Sequence, residues 1–451
     1  MARASPIFLC SACGGETLKW QGQCPQCGDW NTLEQAAAAQ RPRAPRGPLA
    51  PPRPLEVITA GRMERLASGQ EELDRVMGGG IVPGSVTLLG GDPGIGKSTL
   101  LLQVAAHVAG TSGVLYASGE ESVAQIALRA QRLGIDGTRV EVVAESGLEA
   151  LVELAGQRHG ALLVVDSIQT IQSGNLGTSA GAVSQLRECT AELVRFAKST
   201  ATAVILIGHV TKEGTIAGPR LLEHLVDTVL YFESEAGSRY RIVRATKNRF
   251  GAVNELGFFA MTESGLREVR NPSAIFLARA PEPAAGSVVM VTREGGRPLL
   301  IELQALVDRM RFGAPRRVAQ GLDANRLAML LAVMNRHAGL SLQEHDVFVN
   351  AVGGIQISET GWDLPVAMAL ASSLQDRALP NTVICFGEVG LTGEVRPVAY
   401  GEERLREAQK QGFQVAVVPR ENAPRRPLEG LRVIAASRLA EALEAIFSLS
   451  R

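Results

Sequence analysis

The chain has 451 residues, with 46 Lys+Arg against 46 Asp+Glu, 45% apolar and 4% aromatic residues, 48 Gly and 6 Cys. That length suits about two to four domains with ample apolar material for cores, and it excludes a small disulfide-stapled module. A net charge of zero excludes the uniform basicity of a protein that simply coats nucleic acid, and apolar runs such as 327–334 stop far short of the ~20 residues that span a bilayer, so the chain is expected in the cytoplasm with no membrane partner.

From the N-terminus, Cys10-x-x-Cys13 and Cys24-x-x-Cys27 form two knuckles separated by ten residues. Four thiolates at this spacing match the tetrahedral sulfur set that Zn²⁺ favours and leave no position open for water, so residues 1–33 are expected to be a structural C4 zinc ribbon. Lys19, Trp20 and Trp30 either touch nucleic acid or pack the small module, and packing is the preferred reading for the tryptophans. Cys189 and Cys385, far apart in apolar surroundings, read as small core residues. Between 36 and 55 stand six Pro, four Arg and no acidic residue, a composition that cannot build a core, and 34–56 is read as a stiff linker.

Residues 57–270 alternate short β-branched runs (85–89, 113–117, 140–143, 161–165, 203–207) with amphipathic stretches such as 183–198, which predicts crossover units around a mainly parallel sheet. The runs at 239–245 and 256–261 predict an antiparallel extension of that sheet. A third region, 285–451, has its own strands (288–292, 415–418) and helices (325–334, 364–373, 402–411).

Gly91-Asp92-Pro93-Gly94-Ile95-Gly96-Lys97-Ser98 follows one of these apolar strands and precedes a helix that starts at Thr99, the context that a phosphate-binding P-loop requires. Its N–H groups and the helix N-terminus would receive phosphate oxygens, Lys97 would neutralise the β- and γ-phosphates of a nucleotide, taken as ATP on the family resemblance given below, and the Ser98 hydroxyl would ligate Mg²⁺. Asp166 closes the apolar strand 161–165, where a carboxylate acts on Mg²⁺ through water. Glu120 and Glu121 lie just past the strand 113–117, and their spacing suits a hydrolytic base or helix N-terminal carboxylates equally. His209 or Lys212, after the strand 203–207, could reach the γ-phosphate, although a lone His at a strand end is more often structural. Lys247-Asn248-Arg249-Phe250-Gly251 sets two cations beside an aromatic.

Together the four-Cys ribbon, the P-loop, Ala117-Ser118-Gly119-Glu120-Glu121-Ser122 and Lys247-Asn248-Arg249-Phe250-Gly251 resemble the RadA (Sms) family of bacterial RecA-like recombination and repair ATPases, over essentially the whole chain. The resemblance implies a zinc ribbon, a RecA-like P-loop core and a C-terminal Lon-protease-like α/β domain. It implies that Glu120 is the catalytic glutamate and His209 a γ-phosphate sensor, and that copies form a hexameric ring in which Lys247 and Arg249 approach a neighbour's nucleotide like an arginine finger. Single-stranded and branched DNA and a RecA-type recombinase are the partners it implies, and branch migration the activity. Loops 173–182 and 211–220, the latter with Lys212 and Arg220, are candidate DNA loops; Arg309, Arg311, Arg316 and Arg317 form a candidate basic patch. Gly387–Pro397 follows a Lon-type run, while Gly361 stands at the nucleophile position and Glu402 at the lysine position, so no peptidase activity is expected.

Overall fold

A computed structural model of the chain describes residues 8–35, 64–209, 220–234, 238–277, 282–310 and 313–449. Lys212, Arg311 and nearly all of the expected linker lie outside these residues, and of Arg220 only the backbone is described. The chain divides into two compact units between Val269 and Arg270.

The first unit begins with a three-stranded antiparallel ribbon, β1 (Phe8–Cys10), β2 (Glu16–Thr17) and β3 (Leu33–Gln35), in the order β2-β1-β3. It continues through α1 (Glu71–Val76), β4 (Val86–Gly91), α2 (Lys97–Ala109), β5 (Val114–Ser118), α3 (Val123–Arg132), β6 (Val140–Ala144), α4 (Leu148–Arg158), β7 (Leu162–Asp166), α5 (Val183–Thr200), β8 (Ala203–His209), α6 (Arg220–Leu225), β9 (Thr228–Glu233), β10 (Tyr240–Asn248), β11 (Leu256–Thr262) and β12 (Gly265–Glu268). The nine larger strands form one sheet ordered β12-β11-β10-β9-β4-β8-β7-β5-β6. From β9 to β6 every pairing is parallel, and β10, β11 and β12 extend it antiparallel, as expected.

Burial explains the arrangement. All of Leu162–Asp166 is buried, as a parallel strand covered on both faces must be. One core, around Leu101, Val104, Tyr116 and Val164, lies on one face beneath α2; the other, around Leu151, Val165, Leu186 and Leu193, lies beneath α4 and α5. In α3, the Ser122 hydroxyl accepts the Gln125 N–H while the Gln125 side chain accepts the Ser122 N–H, a capping box that fixes where the helix starts.

The second unit comprises α7 (Ser273–Phe276), β13 (Ser287–Glu294), β14 (Arg297–Arg309), β15 (Arg317–Gln320), α8 (Ala324–Ala338), β16 (His345–Ala351), α9 (Asp363–Leu374), β17 (Val383–Cys385), β18 (Glu388–Val389), β19 (Val395–Arg396), α10 (Gly401–Lys410), β20 (Val415–Pro419), β21 (Arg432–Ala436) and α11 (Leu439–Ser448). Its seven-stranded sheet runs β15-β16-β14-β13-β17-β20-β21, and β18 and β19 form a separate hairpin. Helix α9 is buried at every position from Asp363 to Ser372, as its nearly uninterrupted apolar sequence requires. The zinc ribbon, P-loop core and C-terminal α/β domain expected from the sequence are all present.

Candidate functional site

The parallel register brings the ends of four strands to one edge of the first sheet: Gly91 of β4 lies beside His209 of β8, and Ser118 of β5 beside Asp166 of β7. In open α/β sheets this carboxyl edge is where ligands bind. Here the P-loop leaves β4 and enters α2. Gly96 caps α2 with φ 114°, a conformation that a side chain would strain, and the helix has no side-chain cap and no acidic residue in its first turn. Its first N–H groups are therefore open to an anion. A Cβ on Gly94 would meet no atom within 4 Å, so the cradle has room for one. Nζ of Lys97 donates to the carbonyls of Gly91 (2.6 Å) and Asp92 (2.8 Å), and burial lowers its pKa from the ordinary lysine value. This set of N–H donors, an ammonium and the Ser98 hydroxyl fits polyphosphate.

Glu120 and Glu121 separate clearly. Glu121 pairs with Arg129. Oε1 of Glu120 lies 3.0 Å from Nε2 of His209 and accepts the Ser167 hydroxyl. Burial pushes the Glu120 carboxyl up, but the Ser167 hydroxyl, His209 and the Lys97 charge outweigh it and hold the pKa below the usual carboxylate value. Gln169 donates to the His209 carbonyl at 3.4 Å. Asp166 is 3% exposed and accepts the Tyr116 hydroxyl at 2.6 Å. The candidates Lys97, Glu120, Asp166 and His209 thus share one edge. Ser167 and Tyr116 were missed by sequence reasoning; a hydroxyl directly after the strand-end Asp166 was the available signal for Ser167.

Lys247 and Arg249 lie elsewhere. Because β10 runs antiparallel to β9, Asn248 pairs with Thr228 while Gly91 pairs with Phe232, four residues further along the same strand. At ~3.3 Å per residue, the two sites are separated by about 13 Å along the strand, toward opposite edges of the sheet. Nζ of Lys247 donates to the carbonyls of Glu223 (2.6 Å) and Val226 (2.8 Å), capping the end of α6, so it is engaged within its own chain rather than presented outward. The Arg249 guanidinium lies 3.0 Å from Asp227 yet is 53% exposed. Arg65 anchors the turn after Arg249, donating to the Phe250 carbonyl at 2.9 Å and to the Met77 and Gly78 carbonyls.

In the ribbon the four Sγ atoms lie within 4.8 Å of one another, with Cys10–Cys27 and Cys13–Cys24 both at 3.6 Å. Four sulfurs at ~2.3 Å from a tetrahedral Zn²⁺ would stand about 3.8 Å apart, so the set fits the ion. The N–H groups of Cys13 and Gln26 point at the sulfurs of Cys10 and Cys24, both at 3.4 Å. The preference for packed tryptophans is overturned: Trp20 is 59% and Trp30 70% exposed, because the ribbon's small core is taken by Cys10, Cys24 and Leu33.

In the second unit, Gly361 sits buried in a short turn, Thr360–Trp362, and Glu402 is an exposed partner of Arg406 at 2.6 Å. The adjacent interior holds an ion pair that sequence reasoning did not find: Arg404, 1% exposed, grips Glu359, which also accepts the Thr292 hydroxyl at 2.6 Å. Of the candidate basic patch, Arg309 and Arg316 are exposed. The Arg317 guanidinium instead binds the Leu342 carbonyl at 2.7 Å and that of His345, which leaves it little to offer a phosphate.

Residues 51–215 match the AAA domain family, residues 8–35 a rubredoxin metal binding domain, and residues 325–422 subunit ChlI of Mg-chelatase. The chain is 52% identical to the DNA repair protein RadA of Pseudomonas aeruginosa over 99% of this chain and 100% of that one. It is 49% identical to that of Haemophilus influenzae over 100% of both, and 47% identical to that of Bacillus subtilis over 98% of this chain and 99% of the other. At this identity over full length, the chain belongs to the RadA family of bacterial DNA repair proteins.

Proposed function

We propose that the chain is a DNA-stimulated ATPase that binds single-stranded DNA and, as a ring of copies, drives branch migration of recombination intermediates, working in the cytoplasm beside a RecA-type recombinase. The P-loop N–H groups and Lys97 hold the β- and γ-phosphates of ATP. Glu120, kept ionised, orients and deprotonates the attacking water, and His209 at 3.0 Å passes the state of the γ-phosphate to the segment that follows β8. Ser98 and Asp166 would hold magnesium, which when bound would neutralise phosphate charge.

The observation that carries this reading is the opposite placement of the two halves of the site. A chain's own Arg249 lies at the far edge from its own P-loop, so the cation that stabilises the transferring phosphoryl group comes from a neighbour, with Lys247 holding the finger's base against α6. Hydrolysis is thereby tied to contact between copies. The Lon-like region serves ring assembly, since Gly361 offers no nucleophile and Glu402 no amine.

Mixing tests the shared site. Glu120→Gln and Arg249→Ala are each inactive alone. Combined, they restore a fraction of the DNA-stimulated turnover, because some pockets join an intact Glu120 to an intact Arg249. Absence of any recovery in mixtures shown by native mass spectrometry to contain both chains would sink the proposal.

A further inference from the structure

Tyr116 lies in the middle of β5, in a core otherwise built of apolar side chains such as Val114, Ile126, Leu101, Val164 and Ile205, and it is 0% exposed. A phenylalanine would fill the same volume. Among the described residues its hydroxyl makes one hydrogen bond, at 2.6 Å to Oδ2 of Asp166, itself 3% exposed. A buried hydroxyl without a partner is costly, whereas one aimed at a carboxylate makes a charge-assisted bond of the stronger kind.

The bond has a directional consequence. With Oδ2 engaged by the Tyr116 hydroxyl, rotation of the Asp166 carboxylate is opposed and Oδ1 is the oxygen left for another partner.

We propose that Tyr116 is a positioning residue for the magnesium-associated carboxylate: its hydroxyl locks Asp166 so that Oδ1 meets the water shell of the metal with no rotation left to freeze. The inference deepens the reading of this edge as a magnesium–ATP site and rests on it.

The test is equilibrium binding of a non-hydrolysable fluorescent ATP analogue to the full-length protein across free Mg²⁺ concentrations, for wild type, Tyr116→Phe, Asp166→Asn and the double variant. In Tyr116→Phe the Mg²⁺ concentration that half-tightens binding rises about tenfold, the scale of a lost bond to a charged group, while affinity in EDTA stays within about twofold. In the Asp166→Asn background Tyr116→Phe adds nothing. An unchanged Mg²⁺ midpoint, or equal weakening with and without Mg²⁺, overturns the role of Tyr116, the second outcome marking it as packing alone. Wild-type binding that ignores Mg²⁺ altogether overturns the magnesium reading itself. Should Tyr116→Phe fail to fold, 3-fluorotyrosine at position 116 serves: its ¹⁹F resonance shifts when Mg²⁺ is added to the nucleotide complex, and a fixed resonance overturns the proposal.

Discussion

Nε2 of His209 stands 3.0 Å from Oε1 of Glu120, joining the segments that follow β5 and β8 at the carboxyl edge of the sheet. In the proposed mechanism two functions meet in that contact, water activation by Glu120 and reporting by His209, and they are separable by substitution. Glu120→Gln keeps the shape and removes the base, so ATP turnover falls by about 10²-fold or more while nucleotide affinity holds. His209→Gln keeps basal turnover within a few-fold and loses stimulation by single-stranded DNA. Steady-state hydrolysis with and without DNA checks both.

The acid side of the rate profile reports on Ser167. Its hydroxyl helps hold Glu120 below the usual carboxylate pKa, and the base works only when ionised, so activity disappears as pH falls through that pKa. Removing the donor raises the pKa. Ser167→Ala therefore moves the acid limb of kcat/KM to higher pH, with the plateau near neutrality little changed; a limb that stays in place or moves down contradicts the assignment.

Lys97→Ala removes the ammonium that now bridges the Gly91 and Asp92 carbonyls. Nucleotide affinity drops by about tenfold or more and hydrolysis is lost. Isothermal titration with ATP gives the first quantity and phosphate release the second.

Zinc content is a stability question for the ribbon alone. Its core is Cys10, Cys24 and Leu33, too little apolar surface to fold unaided, so the metal supplies the folding energy. Purified protein carries one Zn²⁺ per chain by elemental analysis. Cys13→Ser abolishes that stoichiometry and opens the ribbon to protease while ATP still binds, because the P-loop sits on a separate core.

Arg404 and Glu359 give a stability prediction in the second unit. Truncating Arg404 to Ala leaves a buried cavity and takes the charged partner from Glu359, which is 24% exposed and keeps the Thr292 hydroxyl, at a cost of about 2 kcal/mol or more. Replacing both by apolar residues of similar volume recovers much of this in denaturant titrations.

How much of this could be read from residues alone varies with range. The P-loop, the Asp166 strand end and the four-Cys ribbon are local patterns in which spacing and chemistry coincide, and the strands and helices around them follow the expected ranges closely. The different partners of Glu120 and Glu121 were invisible to spacing, since they depend on Arg129, nearly two turns into α3, claiming Glu121. Tyr116 reads as one more core residue in a strand, because nothing local says that a carboxylate fifty positions later receives its hydroxyl. Arg404 and Glu359 are 45 positions apart, and an arginine in an otherwise charged helix reads as solvated until tertiary packing encloses it. The tryptophans went the other way: aromatic character argued for burial, and the ribbon had no interior to receive them.

The antiparallel return of β10 along β9 also has a genetic corollary. In an assembly of the proposed kind, each copy is owner of one pocket and donor to the next, so a subunit defective in both Glu120 and Arg249 disables two pockets at once. Its co-expression with the wild-type chain would then poison repair beyond its share of the population, a dominant phenotype arising from the direction of a single strand.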